Sequence, residues 1–238
     1  MGRLLLLGAG GGGGTTQTPS SLLTGLVGYY NMNEASGASA LDSLGTNNLA
    51  NNGTVGSAAG RVGTSRTFGT GNYFLAATSS VYTTVLSNGN SFTVAFWAYP
   101  TATTASAMVW GKDAQAGVRI GGGSSWQFGN LLSFNLTVAS SLTTGAWQLV
   151  LARYDSAAHT FGLSVNNGAY SGSRAASNAG ASASAKFAVG AHVNSADVLN
   201  AGTEFPGRID ELGIWSRVLN ADEETTLYNA GAGTTYPF

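Results

Sequence analysis

Apolar and polar positions alternate along most of the chain in short runs that stop at glycine, asparagine or serine. Such runs, rich in β-branched and aromatic residues, predict half-buried strands. Six are clear: Leu26–Tyr30, Phe92–Tyr99, Trp147–Tyr154, Phe161–Val165, Lys186–Gly190 and Gly207–Trp215. The second stops at Pro100, which cannot continue a strand interior. The fourth runs into Asn166-Asn167-Gly168, a tight-turn signal that favours positive φ. Weaker candidates lie around Phe68, Tyr73–Leu75, Met108–Trp110, Val118–Ile120 and Leu132–Leu136. No stretch of helical period is long, and no internal repeat is visible.

One helix is predicted, of about two turns, after the last strand. Asn220 followed three residues on by Glu223 is a capping-box pattern. Asp222, Glu223 and Glu224 place negative charge at the start, where the helix dipole favours it. Leu227 and Tyr228 supply an apolar face, and Gly231 is the expected stop. Many short strands with one terminal helix give an all-β fold class, an antiparallel sandwich.

Composition narrows the function. Charged residues are 9% of the 238 positions, against a usual share of about 25%. Ten Lys and Arg face eleven Asp and Glu, a formal net charge of -1. That balance offers no field to gather a polyanion or an anionic membrane, so neither nucleic acid nor membrane is an expected partner. The absence of cysteine removes disulfides, thiolate zinc sites and cysteine nucleophiles. Histidine occurs only at His159, in a turn-like segment, and at His192, after a strand.

The first 21 residues read as a separate segment, an apolar arm and a Gly/Thr/Ser-rich linker, with the sandwich domain over 22–238. Leu4, Leu5, Leu6 and Leu7 are too few for a secretory signal, which needs about 7–15 apolar residues. Gly10 to Gly14 also spoil the segment as a membrane helix. The plain reading is a frayed tail. The rival reading is a short arm on a flexible linker that inserts into a partner.

Four segments, in order, resemble the laminin-G-like branch of the concanavalin A-like jelly rolls (lectins and glucanases). They are Gly28–Gly37 with Leu41–Gly45, then Phe92–Trp97, then Trp147–Asp155 leading to Val165–Gly168, and finally Phe205–Glu211 through Trp215, Val218, Leu219 and Glu223 to Asn229. The resemblance spans roughly residues 24–229. It implies two curved sheets face to face, with the first and last strands adjacent. Phe92, Val94 and Phe96 would then fill the space between the sheets. Trp97, Trp147 and Trp215 fit the family pattern as core residues.

Chemistry is sparse. Glycoside hydrolysis needs two carboxylates about 5–9.5 Å apart, and hydrolases of this fold carry theirs on one strand in a Glu-x-Asp-x-x-Glu or similar spacing. None of the eleven acids has it. Asp210 and Glu211 are adjacent and should point to opposite faces of a strand. No enzymatic activity and no catalytic residue is expected.

A structural calcium ion is the one expected cofactor, because related jelly rolls hold one near the terminal strands. Asp42, in an oxygen-rich turn, and Asp210, on the last strand, are the candidate ligands. The competing reading has Asp42 in an Asx turn and Asp210 paired to Arg208 or Arg217. Glycan-binding candidates are Trp126, Trp110 and Tyr82, aromatics in loop-like or edge segments, with Trp126 the first choice for exposure.

The style of the chain also resembles laminin-G-like proteins of bacteriophages. The leading expectation is therefore a non-enzymatic virion component, a capsid decoration, fibre or tail protein made without a signal peptide. Leu4–Leu7 would anchor a homo-oligomer, such as a trimer, to a capsid or tail protein, and the sandwich would adhere to cell-surface glycans. The alternatives are a free-standing carbohydrate-binding module and, third, a glycan hydrolase.

Overall fold

The computed structural model describes residues 20–87, 89–113, 115–129, 136–175 and 184–238. The arm at Leu4–Leu7 and the candidate strand at Leu132–Asn135 lie outside the described residues. The strands are β1 (Leu26–Tyr30), β2 (Leu49–Asn52), β3 (Gly56–Ala59), β4 (Thr64–Phe68) and β5 (Tyr73–Ala76). Then come β6 (Phe92–Pro100), β7 (Met108–Lys112), β8 (Ala116–Gly121), β9 (Ser125–Gly129) and β10 (Leu136–Val138). The chain continues through β11 (Gln148–Asp155), β12 (Thr160–Val165), β13 (Ser171–Ala175), β14 (Phe187–Val189) and β15 (Gly207–Trp215) to helix α1 (Ala221–Tyr228).

Two antiparallel sheets result. One runs β13-β12-β11-β6-β15-β4-β3, with β1 also paired to β15; the other runs β10-β9-β8-β7-β14-β5-β2. The first and last strands are therefore neighbours, with Tyr29 opposite Gly213. The inner faces meet in one core. Phe92, Val94 and Phe96 from β6 pack there with Trp110, Trp126, Phe128 and Phe187 from the other sheet.

The eight-stranded sheet is covered on its outer face as well. Ala95, Trp97, Leu149, Leu151 and Trp215 project outward under Leu219 and Leu227 of the α1 segment, with Tyr236 and Phe238 of the C-terminal tail packed alongside. This second layer explains why β6 reads as a nearly continuous apolar run rather than a strict alternation. The helix begins as its sequence predicts: the Asn220 side chain accepts from Glu223 N–H, and Glu223 returns a bond to Asn220 N–H. It stops earlier than Gly231, because Asn229 itself adopts the left-handed conformation at φ 45.

Two residues expected at the surface are inside. Trp126 lies on β9, not in a loop, and is 0% exposed, with its ring near those of Phe96 and Phe205. Trp110 lies on β7, equally buried, beside Phe128 and Phe187. Both sit on the inner face of their sheet, in the core shared with Phe92, Val94 and Phe96 of the opposite sheet. Neither can be a glycan platform.

Candidate functional site

Both expected calcium ligands already accept hydrogen bonds from backbone N–H groups. Asp42 Oδ1 accepts from the N–H groups of Tyr29 and Leu44, and Oδ2 from Thr46 and Asn47 N–H and the Thr46 hydroxyl. A carboxylate so saturated by N–H and O–H groups organises its turn and has no lone pair left for a cation. Asp210 Oδ2 accepts from Arg61 and Val62 N–H, in the turn between β3 and β4, rather than from an arginine side chain. Among the described residues, no group of three or more His, Asp or Glu side chains is placed to hold a metal ion. The residues present do not fit a calcium site built on Asp42 and Asp210.

Asp210 and Glu211 do not obey simple strand alternation. A bulge interrupts β15 between Asp210 and Gly213, and Glu211 takes φ 48. Both carboxyls are buried, and Asp210 Oδ1 and Glu211 Oε1 have no hydrogen-bond partner. The Tyr29 hydroxyl donates to Glu211 Oε2 beneath the C-terminal tail. Burial pushes Asp210 up to about 7 and Glu211 up to about 8, the latter helped by the neighbouring Asp210 charge.

This pair sets a pH dependence. Unfolded carboxyls ionise near pH 4, whereas the native pair keeps its protons until about 7 and 8. Between those limits the native state binds more protons, so stability falls as pH rises. Glu223 works in the opposite sense, held down to about 2 by Arg217, but its contribution is complete by pH 5. The melting temperature should decline from pH 5 to pH 8, and Glu211→Gln should flatten the decline. A melting temperature that is constant or rises over that range in the native protein contradicts the assignment.

His192 lies between Asp113, 3.2 Å from Nε2, and Asn200, 2.8 Å from Nδ1, while Ser195 meets Asp113 through its backbone N–H. His159 occupies the β11–β12 turn at φ 51. Neither histidine lines a groove.

Two surface grooves stand out among the described residues. The larger, about 610 Å³, runs between the 46–48 turn and the 77–85 segment. Its lining is hydroxyl and amide groups with Val27, Val81 and Val85, and Tyr82 is the one aromatic residue there. Tyr82 is only 5% exposed. Its hydroxyl lies 2.8 Å from that of Tyr30, which bonds to Asn47 O. Gly28 makes this possible, since a Cβ there would sit 1.9 Å from the Tyr82 oxygen. Tyr82 is a buried strut rather than an exposed platform.

The smaller groove, about 360 Å³, is aromatic. Strand alternation that sends Phe92, Val94 and Phe96 inward sends Trp97 and Tyr99 to the outer face of β6. The register of β11 against β6 pairs Gln148 with Ala98, so Trp147 arrives beside Tyr99, ring centroids 5.5 Å apart. Tyr228, the last residue of α1, stacks on Trp97 at 5.9 Å and 15°. Trp97 is 2% exposed and forms the floor, while Tyr99, Trp147 and Tyr228 are half-buried and reachable. Trp147 is thus not a core residue, as its family position suggested.

Polar groups converge on the same rings. Asn166, at φ 53 in the predicted tight turn, accepts from Leu149 N–H through Oδ1 and also lines the groove. The Arg61 guanidinium lies 5.2 Å from the Trp97 ring centre. That of Arg208 lies 3.9 Å from Tyr99 and 5.3 Å from Trp147.

The model of the concanavalin A-like lectin/glucanases superfamily matches residues 68–223. Comparison with curated proteins gives no match. Domain 4 of AbnA, an extracellular arabinanase of Geobacillus stearothermophilus solved in complex with arabinotriose, is 18% identical, with a TM-score of 0.61. The match covers 84% of this chain and 96% of that domain. A Trypanosoma rangeli sialidase is 16% identical, with a TM-score of 0.63 over 88% of this chain. The match takes in only 33% of the sialidase. The binding domain of Paraclostridial Mosquitocidal Protein 1 is 14% identical, with a TM-score of 0.60 over 87% of this chain and 52% of that one. At such identities the likeness to these structures is one of fold. With its two antiparallel sheets, its adjoining first and last strands and a family match over most of its length, the chain belongs to the concanavalin A-like lectin/glucanase superfamily.

Proposed function

We propose that the protein is a non-enzymatic glycan-binding module whose ligand lies against Tyr99, Trp147 and Tyr228. The observation that carries this reading is the convergence of three half-buried rings, one amide and one guanidinium on a single groove. Sugar rings present an apolar C–H face that packs on an aromatic surface, and their hydroxyls need a few placed polar partners. The volume suits one or two sugar units. The arabinanase domain of the same fold, solved with arabinotriose, is a precedent for an oligosaccharide on this scaffold.

Binding without hydrolysis is favoured because no carboxylate lines either groove. The Asp210–Glu211 pair is buried and lines neither groove. Attachment to a virus particle rests on the sequence alone, on Leu4–Leu7 and the likeness to bacteriophage chains, and neither the fold nor the family adds to it.

Affinity electrophoresis through gels cast with neutral and acidic polysaccharides tests the reading. Retardation by at least one polysaccharide, with no reducing sugar released, is expected. Failure to be retarded by any of them overturns glycan binding. Release of reducing sugar that disappears in Asp210→Ala or Glu211→Ala makes the protein a hydrolase instead.

A further inference from the structure

Resting on the glycan-binding reading, the geometry points to a narrower ligand class: a glycan whose sugar units carry carboxylates, held by Arg61 and Arg208 at the aromatic groove. The argument starts from how few charges the chain has and where they are spent. Among the described residues, ion pairs engage Arg66 with Glu34, Arg153 with Glu224, Lys186 with Asp197 and Arg217 with Glu223. Lys112 is buried and donates to the carbonyls of Ser79 and Ala185, and Arg119 donates to Gln127. Arg61 and Arg208 belong to none of these ion pairs; Arg61 lines the groove, and Arg208 lies against Tyr99 and Trp147, two of its lining rings.

Their placement is not that of ordinary solvated side chains. Arg208 is opposite Tyr99 in the β15–β6 register, which lays its guanidinium over the Tyr99 ring, and one of its N–H groups is fixed to Ala59 O at 2.8 Å. Arg61 is held over Trp97 at the far side, with its backbone N–H anchored by Asp210. Stacking on a ring orients a guanidinium while its remaining N–H edge stays free, and that edge matches a carboxylate in two parallel bonds. No carboxylate of the groove lining competes for it. Two such groups beside one cleft raise the local potential even though the whole chain is near neutral. A neutral sugar would use the rings and Asn166 but leave both guanidinium edges idle.

The test uses matched ligands measured by isothermal titration with the full chain: trigalacturonate against its methyl ester, and sialyllactose against lactose. The acidic member of at least one pair is expected to bind roughly tenfold or more tighter, as charge-assisted bonds imply. Raising the salt should narrow that gap. Arg61→Gln and Arg208→Gln should each lower affinity for the acidic member more than for the neutral one, and so reduce the preference. Arg61 is exposed, so its variant serves even if Arg208→Gln fails to fold. Equal affinity for acid and neutral members, or a preference untouched by either substitution, overturns the acidic-glycan inference and leaves glycan binding standing. No binding to any of the four ligands overturns the acidic-glycan inference, and glycan binding itself then stands or falls with retardation in the polysaccharide gels.

Discussion

Replacing Arg66 with methionine is expected to destabilise the protein by about 3–5 kcal/mol, the usual cost of removing one partner of a buried charged pair. Arg66 is 0% exposed on β4. Its guanidinium donates to the carbonyls of Glu34, Ala38 and Val55 at 2.8–3.0 Å and lies 3.7 Å from the Glu34 carboxylate. The side chain therefore ties the 34–38 loop to the sheet. Methionine matches its length and apolar stem but leaves the Glu34 and Ala38 carbonyls without this donor and the partly buried Glu34 carboxylate without its counter-charge. For a chain of this size the loss corresponds to a drop of about 10 °C or more in melting temperature. A change of less than about 2 °C would show that the clasp contributes little.

Replacing Trp147 with alanine is expected to weaken glycan binding about 30-fold or more with little loss of stability. Truncating a tryptophan at the centre of a binding surface commonly costs about 2 kcal/mol or more, which is that factor. Trp147 precedes β11 and is half-buried, so it contributes ring surface to the groove without filling the inter-sheet core. Its ring meets the groove residue Tyr99 and the Arg208 guanidinium, and packs only at the margin of the outer-face cluster. Trp97→Ala would be a poorer probe, since Trp97 is 2% exposed and packs in the outer-face layer beneath the helix. Unchanged affinity in a folded Trp147→Ala protein would remove this groove as the site.

The strong strands were legible because their own residues decide them. β1 and β15 have the predicted limits, and the Asn220 capping box forms as read. The strands β2, β3, β9 and β13 were not legible. Leu49-Ala-Asn-Asn and Gly56-Ser-Ala-Ala carry no β-branched or aromatic side chain, and become strands through pairing with β5 and β4. Ser125-Trp-Gln was read as loop because serines and a glutamine flank its tryptophan, although pairing with both β8 and β10 buries that ring.

The groove joins residues 61, 97–99, 145–147, 166 and 228, and only the strand register and the docking of α1 bring them together. One part was available earlier. The alternation that places Phe92, Val94 and Phe96 inside also places Trp97 and Tyr99 on the other face, where two aromatic neighbours on one strand mark a second packed or binding surface. Arg66 gave no signal, because a lone arginine in Thr-Ser-Arg-Thr reads as an exposed strand residue until its carbonyl partners are in place.

The location of the ligand is the central claim, and the five tryptophan indole N–H signals report on it directly. The measurement is an ¹⁵N-labelled NMR titration with the tightest-binding oligosaccharide. The groove assignment predicts that Trp147 moves most and Trp97 moves with it, while Trp110 and Trp126, both 0% exposed in the inter-sheet core, stay in place. Saturable shifts confined to Asn47, Asn48 and Thr84 around the larger groove, with Trp147 unmoved, would contradict it.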